Sequence, residues 1–350
     1  MEANAVSVRK FIVDKNATEQ TAALFYNLKK KSETLYLVGI HENPTLFVHA
    51  AGVSEALYGT DFMFLTDIIK NPGNSYYTKK HTEIRDLIKS NYRSGRVITM
   101  CWHFRNPIVG ETASFYWKNL IATNPNQAEI VPRLIPGGDN NELFKQYLDV
   151  VANFAKTLID DNGDYIPVIF RPWHEQDGDW FWWGKGHASK EEYVALWRFT
   201  VEYLRDVKNV HNFLYAYSPG GDTDKAKYLE WFPGDEYVDI LGMDHYLQDK
   251  ADILTKPKAK IETLCSIAEE KNKIAAITET GYSTSEYPVN PTVFSDVFIP
   301  MINIQKIAYL MFWSGNQYIP TEAYPDFLIF VNNSRAVFYN DLLNMYTFAK

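Results

Sequence analysis

Residues 166–184 read IPVIFRPWHEQDGDWFWWG. The first five form a continuous apolar run, the pattern of a strand covered on both faces. Arg171, His174 and Glu175 follow at once, and then Trp180, Phe181, Trp182 and Trp183. Cores ordinarily space large rings at helical or strand intervals, and this cluster keeps neither period. A buried strand that ends in charged and aromatic side chains is what a sheet with a site at its C-terminal edge looks like from the sequence.

The same unit recurs in both directions. Apolar runs stand at 35–40 (LYLVGI), 62–66 (FMFLT), 97–101 (VITMC), 213–217 (FLYAY), 238–243 (VDILGM), 274–278 (IAAIT) and 307–312 (IAYLMF). Helical patterns lie between them. Leu143, Tyr147, Val150, Val151, Phe154 and Leu158 recur at three- and four-residue steps. Ser189 and Glu192 form a capping box ahead of Tyr193, Leu196 and Trp197. Ile84, Leu87 and Ile88 mark another helix, closed by Gly95. Strand followed by helix, eight times over, predicts an α/β fold, a (β/α)8 TIM barrel. An open doubly wound sheet fits less well, because no glycine-rich phosphate turn follows the first run. With no linker, repeat or low-complexity tract, residues 1–350 are expected to form a single catalytic domain.

Composition narrows the partners. A net charge of −8 argues against nucleic acid, which needs a basic footprint. Cys101 and Cys265 give neither a disulfide framework nor a metal spacing, and their apolar neighbours predict buried thiols. His174-Glu175 is not an H-E-x-x-H helix, so no metal and no cofactor is expected. No apolar run approaches membrane-spanning length, and the opening MEANAVSVRK has no leader-like core. A monomer is expected.

In a barrel the active face lies at the C-terminal strand ends. The residues expected there are His41, Asp67, His103, His174 with Glu175, Ser218, Asp244 with Tyr246, Glu279 and Trp313. Loops on this rim are long, above all the segment of about 36 residues after the third strand, which carries Phe115, Tyr116 and Trp117. Glu175 and Glu279 end strands four and seven, on opposite sides of an eight-stranded ring. Glycoside cleavage needs such a pair: one acid to protonate the leaving oxygen and one carboxylate on the other face of the sugar, about 5–5.5 Å apart for retention. An ionised Glu279 would raise the pKa of Glu175 and keep it a usable acid. Aromatic platforms for sugar C–H faces are expected from Trp180, Trp183, Tyr246 and Trp313, and hydrogen bonds from Arg171, His103, His174 and Asp244. Bland readings stand beside these. Trp182 and Trp183 pack under the loop as readily as they touch sugar, Asp244 braces a loop, and Arg171 holds a glutamate in place.

The segment RPWHEQDGDWFWWG resembles the acid-bearing segment of glycoside hydrolase family 26, a family mostly of β-mannanases. GRVITMCWHFRNP, FLYAYSPGG, FPGDEYVDILGMDHY, AITETGYS and YLMFWSGN resemble its third-, fifth-, sixth-, seventh- and eighth-strand segments, in order. The resemblance implies Glu175 as acid/base and Glu279 as nucleophile, with His103, His174, Trp180, Tyr246 and Trp313 around the sugar that becomes covalently attached. His174 stands where related barrels carry asparagine before the acid. Two departures appear: GIHENPT follows the first-strand pattern only loosely at His41, and Ser314 replaces an expected arginine.

The function expected is therefore a retaining endo-β-1,4-mannanase acting on mannan, glucomannan or galactomannan, working outside the cytoplasm on a polymer. Alternatives are the same chemistry on β-1,3-xylan or mixed-linkage glucan, exo-type release of mannobiose, and a non-catalytic carbohydrate-binding protein. The last has no need of two opposed carboxylates.

Overall fold

The computed structural model describes residues 4–43, 45–108, 114–119, 129–247, 252–282, 290–314 and 319–348. Eight parallel strands close into a ring: β1 Tyr36–His41, β2 Leu57–Asp61, β3 Val97–Cys101, β4 Val168–Arg171, β5 Phe213–Tyr217, β6 Ile240–Leu247, β7 Ile274–Tyr282 and β8 Ile307–Phe312. Closure is direct, because β1 pairs with β2 on one edge and with β8 on the other. A ninth strand, β9 Ala336–Val337, adds itself to the start of β1. The expected (β/α)8 barrel is thus the observed one.

Alternation along the strands explains why the barrel is greasy below and polar above. Leu37, Leu57, Val97, Ile169, Leu214, Ile240 and Ile274 belong to one apolar cluster inside the ring. Steps of two along the same faces reach His41, Asp61, Cys101, Arg171 and Asp244 at the C-terminal ends. The opposite strand faces pack outward on the helices. The helix Asn141–Thr157 buries Phe144, Tyr147, Leu148, Val151 and Phe154 against them; Tyr147, Val151 and Phe154 belong to the expected stripe, while Leu143 and Val150 are only half-buried. The Ser189 box is formed in both directions, with its side chain accepting from Glu192 N and the Glu192 carboxylate accepting from Ser189 N. The helix Ser75–Arg93 ends as expected before Gly95, which sits at φ +92°, although Leu87 points outward.

Both chain ends serve the lower side. Val13 N donates to Asp239 Oδ1 at 2.8 Å, His211 pairs with Asp14, and Asn27 Nδ2 donates to the carbonyls of Met345 and Thr347. Val8, Ile12 and Met345 join the apolar cluster of the ring interior. Among the described residues no helix is long and apolar enough to cross a membrane.

Two expectations need correction. The run at 62–66 is not the second strand: Met63–Thr66 is a short helix, and β2 is the less apolar LYGTD before it. Asp67 consequently lies past the strand end, nearly buried and paired with Arg105 at 3.3 Å, and Asp61 takes the rim position. Cys101 is buried but among polar groups, and Cys265 is only half-buried.

Candidate active site

The C-terminal end of β4 is built against local backbone preference. Trp173 and Glu175 have φ of 53° and 54°, the left-handed region that costs a side-chain-bearing residue of order 1–3 kcal/mol. The surroundings hold that conformation in place. Glu175 N donates to Ser218 O at 2.8 Å, Trp183 Nε1 to His174 O at 2.9 Å, and Tyr193 Oη to Trp173 O at 2.9 Å. These two kinks flank His174, which is buried in the floor, and leave Glu175 half-buried at the mouth.

Glu279 reaches the mouth by a different device. Along β7, Ile274 and Ala276 face inward, so strict alternation would turn Thr278 inward and Glu279 outward. Opposite β6 the register shifts, with Met243 facing Ile277 but Asp244 facing Glu279. Thr278 is the extra residue of a bulge, and both side chains now point inside. Thr278 Oγ1 donates to Asp244 Oδ1 at 2.7 Å. The Glu279 carboxylate accepts from Arg171 Nη2 at 2.5 Å on one oxygen and from the Tyr246 hydroxyl on the other. Arg171 Nη1 donates to Asp244 Oδ2 at 2.5 Å, so one guanidinium bridges two carboxylates.

Asp244 and Glu279 therefore share one guanidinium, and Glu175 stands near both carboxylates. Burial pushes Glu175 well above the usual glutamate range, and the charges of Glu279 and Asp244 push the same way. Among the described residues its one direct donor is Trp180, whose Nε1 lies 2.7 Å from Oε2. Burial also lifts Asp244, to about 8, against the pull of Arg171. Both shifts favour the acid form, and the half-buried Glu175 stands where a ligand reaches.

Below these acids runs a chain of imidazoles. His103 Nδ1 is 2.6 Å from Asp61 Oδ2, and His103 Nε2 is 3.1 Å from His174 Nε2. Burial alone would raise Asp61, but His103 and His41 outweigh it and hold the carboxyl below its ordinary value. An ionised Asp61 only accepts, so His103 carries its proton on Nδ1 and offers a bare Nε2. His174 must then donate from Nε2, which leaves its buried Nδ1 without a hydrogen-bond partner. Burial and the nearby Arg171 keep His174 neutral.

The walls are aromatic. Trp180 is 42% exposed and lies flat over Gly178, where a Cβ would come within 2.2–2.5 Å of the indole. His41 and Trp313 stack at 4.1 Å. The loop after β3 docks on the loop after β4: Tyr116 bridges Phe181, and Trp117 N donates to Trp180 O at 2.7 Å. The rest of that loop, at 109–113 and 120–128, lies outside the described residues, as does 315–318 beyond Ser314.

The sequence matches a known family. Residues 13–325 match the model of glycosyl hydrolase family 26. The chain belongs to family 26. GH26C from a Muricauda species superposes with a TM-score of 0.89 at 35% identity, covering 100% of this chain and 99% of that one. The catalytic domain of a Bacillus sp. JAMB-750 endo-beta-1,4-mannanase gives a TM-score of 0.85 at 30% identity, with 96% of each chain covered. A mannan endo-1,4-beta-mannosidase of Bifidobacterium adolescentis is 33% identical over 334 residues, 87% of this chain. This chain spans 32% of that relative's length, and the match to a Bacillus subtilis relative of the same name covers 59% of its length.

The expected site residues fall into two groups. Glu175, Trp180, Tyr246 and Trp313 face the mouth, with Glu279 and His103 at its floor. Trp183 is 0% exposed and gives its N–H to a carbonyl, so it supports the loop instead of forming a platform. Trp182 does the same for Phe104 O. His174, Arg171 and Asp244 are likewise buried beneath the mouth, where they position other groups. Asp61 was missed, because FMFLT is a better apolar run than LYGTD.

Proposed function

We propose that this family 26 chain is a retaining endo-β-1,4-mannanase, with Glu279 as nucleophile and Glu175 as acid and then base. One observation carries the reading: two carboxyls share one barrel mouth in opposite settings, Glu279 held by two donors and Glu175 desolvated beside it. Glu279 is gripped by Arg171 and Tyr246, donors that stabilise a carboxylate and orient its oxygens. Glu175 is desolvated and repelled into its acid form.

In the first step Glu279 attacks the anomeric carbon while Glu175 passes its proton to the leaving glycosidic oxygen. Esterification removes the Glu279 charge, the pKa of Glu175 falls, and Glu175 takes a proton from the incoming water. Trp180 gives its N–H to Glu175 and lends a ring face to the sugar that becomes attached. Mannan as substrate is supported by the names that the relatives bear, and a polymeric substrate places the work outside the cytoplasm.

The deciding experiment is a pair of variants. Glu279→Ala abolishes turnover on every substrate. Glu175→Ala loses polysaccharide hydrolysis by orders of magnitude but retains cleavage of aryl glycosides whose leaving group needs no proton. Equal loss on both substrate types overturns the assignment. NMR of the first-formed anomer tests retention, and product analysis on mannan, β-1,3-xylan and mixed-linkage glucan tests the sugar.

A further inference from the structure

We propose that the floor of the mouth is a binding site for a soft divalent cation such as Zn2+, with Cys101, Asp61, His41 and His103 as its ligands. Ligand atoms of His41, Asp61 and Cys101 all lie within 4.8 Å of one another. Cys101 Sγ is 3.4 Å from Asp61 Oδ2 and 3.6 Å from His103 Nδ1. Tetrahedral zinc with bonds of about 2.0–2.3 Å sets its ligand atoms roughly 3.3–3.8 Å apart, so two edges of the polyhedron are already at length. The 2.6 Å Asp61–His103 contact is a hydrogen bond that opens when the ion replaces its proton.

Three further features favour an ion. The ligands stand at or just past the ends of three adjacent strands, β1, β2 and β3. Among the described residues, no group hydrogen-bonds either ring nitrogen of the buried His41; the carboxylate of Glu42 is 3.9 Å from Nε2. One thiolate, one carboxylate and two neutral imidazoles around a divalent ion sum to zero charge, which a buried site requires.

Binding rearranges protons in a defined way. The Cys101 thiol loses its proton to solvent. His103 moves its proton from Nδ1 to Nε2, and His174 answers by shifting its own to the unpartnered Nδ1. About one proton is released per ion. The imidazole chain under the sugar is thereby reversed, and His103 becomes a donor where it was an acceptor. On the mannanase reading, zinc therefore inhibits the enzyme.

Co2+ is the probe, because a thiolate ligand gives it a near-ultraviolet charge-transfer band. In a Cys265→Ser background, Co2+ should produce that band at a stoichiometry of about one and Zn2+ should erase it. Cys101→Ser removes the band, and His41→Ala weakens Co2+ binding roughly tenfold or more. Zn2+ should inhibit mannan hydrolysis, with inhibition weakened at least about tenfold by Cys101→Ser. No band in the protein that retains Cys101, or a band that survives Cys101→Ser, overturns the site. The spectroscopy needs no substrate, so inactivity on mannan refutes the functional reading and leaves the cation site standing.

Discussion

Arg171 is the residue on which the two acids depend. Its nitrogens reach Asp244 and Glu279 separately, and an ammonium cannot reproduce that fork. Arg171→Lys is expected to lower kcat on polysaccharide and aryl substrates alike, and Arg171→Ala to cost about 3–5 kcal/mol of stability by stranding buried charge. Steady-state kinetics and urea unfolding check the two parts. Gly178 acts through Trp180, since any side chain there displaces the indole. Gly178→Ala should therefore mimic Trp180→Phe. Both lose the donor to Glu175, with an effect of about tenfold on kcat/KM for polysaccharide, and they fail in the same direction. If Gly178→Ala behaves as wild type while Trp180→Phe is impaired, the indole is not held by that contact.

At the level of elements, the strands with continuous apolar runs were legible, and so were the helices with clear stripes or caps. The barrel followed from their alternation. β2 was not legible, because Gly59, Thr60 and Asp61 dilute its apolar signal and a helix beside it is more apolar. The bulge at Thr278 was also invisible: a register shift belongs to the pairing of β6 with β7, not to either sequence alone. Glu279 was found by its place after an apolar run, although the reason it points inward was not. The two buried indoles, Trp182 and Trp183, stayed ambiguous for a related cause, since sequence shows where a tryptophan is but not which end of it is spent on a carbonyl. The capping box offers a clean test of the elements that were read correctly. Ser189→Ala should cost about 1 kcal/mol in denaturant unfolding with kcat/KM unchanged.

Across the whole molecule, the raised carboxyls tie stability to pH. A native Glu175 that keeps its proton above the ordinary value of 4.5 binds more protons than the unfolded chain over that window. Stability then falls as pH rises through it, by up to about 1.4 kcal/mol per pH unit for each such group. Glu175→Gln should flatten the slope of the urea midpoint between pH 5 and neutrality (about the window set by the ordinary glutamate value). Asp244→Asn removes a negative neighbour, so the alkaline limb of kcat/KM should move to lower pH. The docking of the β3 loop on the β4 loop has an engineering consequence. Tyr116 pairs with Phe181, and Trp117 both bonds to Trp180 and stacks on His187. These two walls are stitched into one panel. A chimera that imports only one of them from a homologue inherits half a seam, so specificity should be transplanted with both halves together.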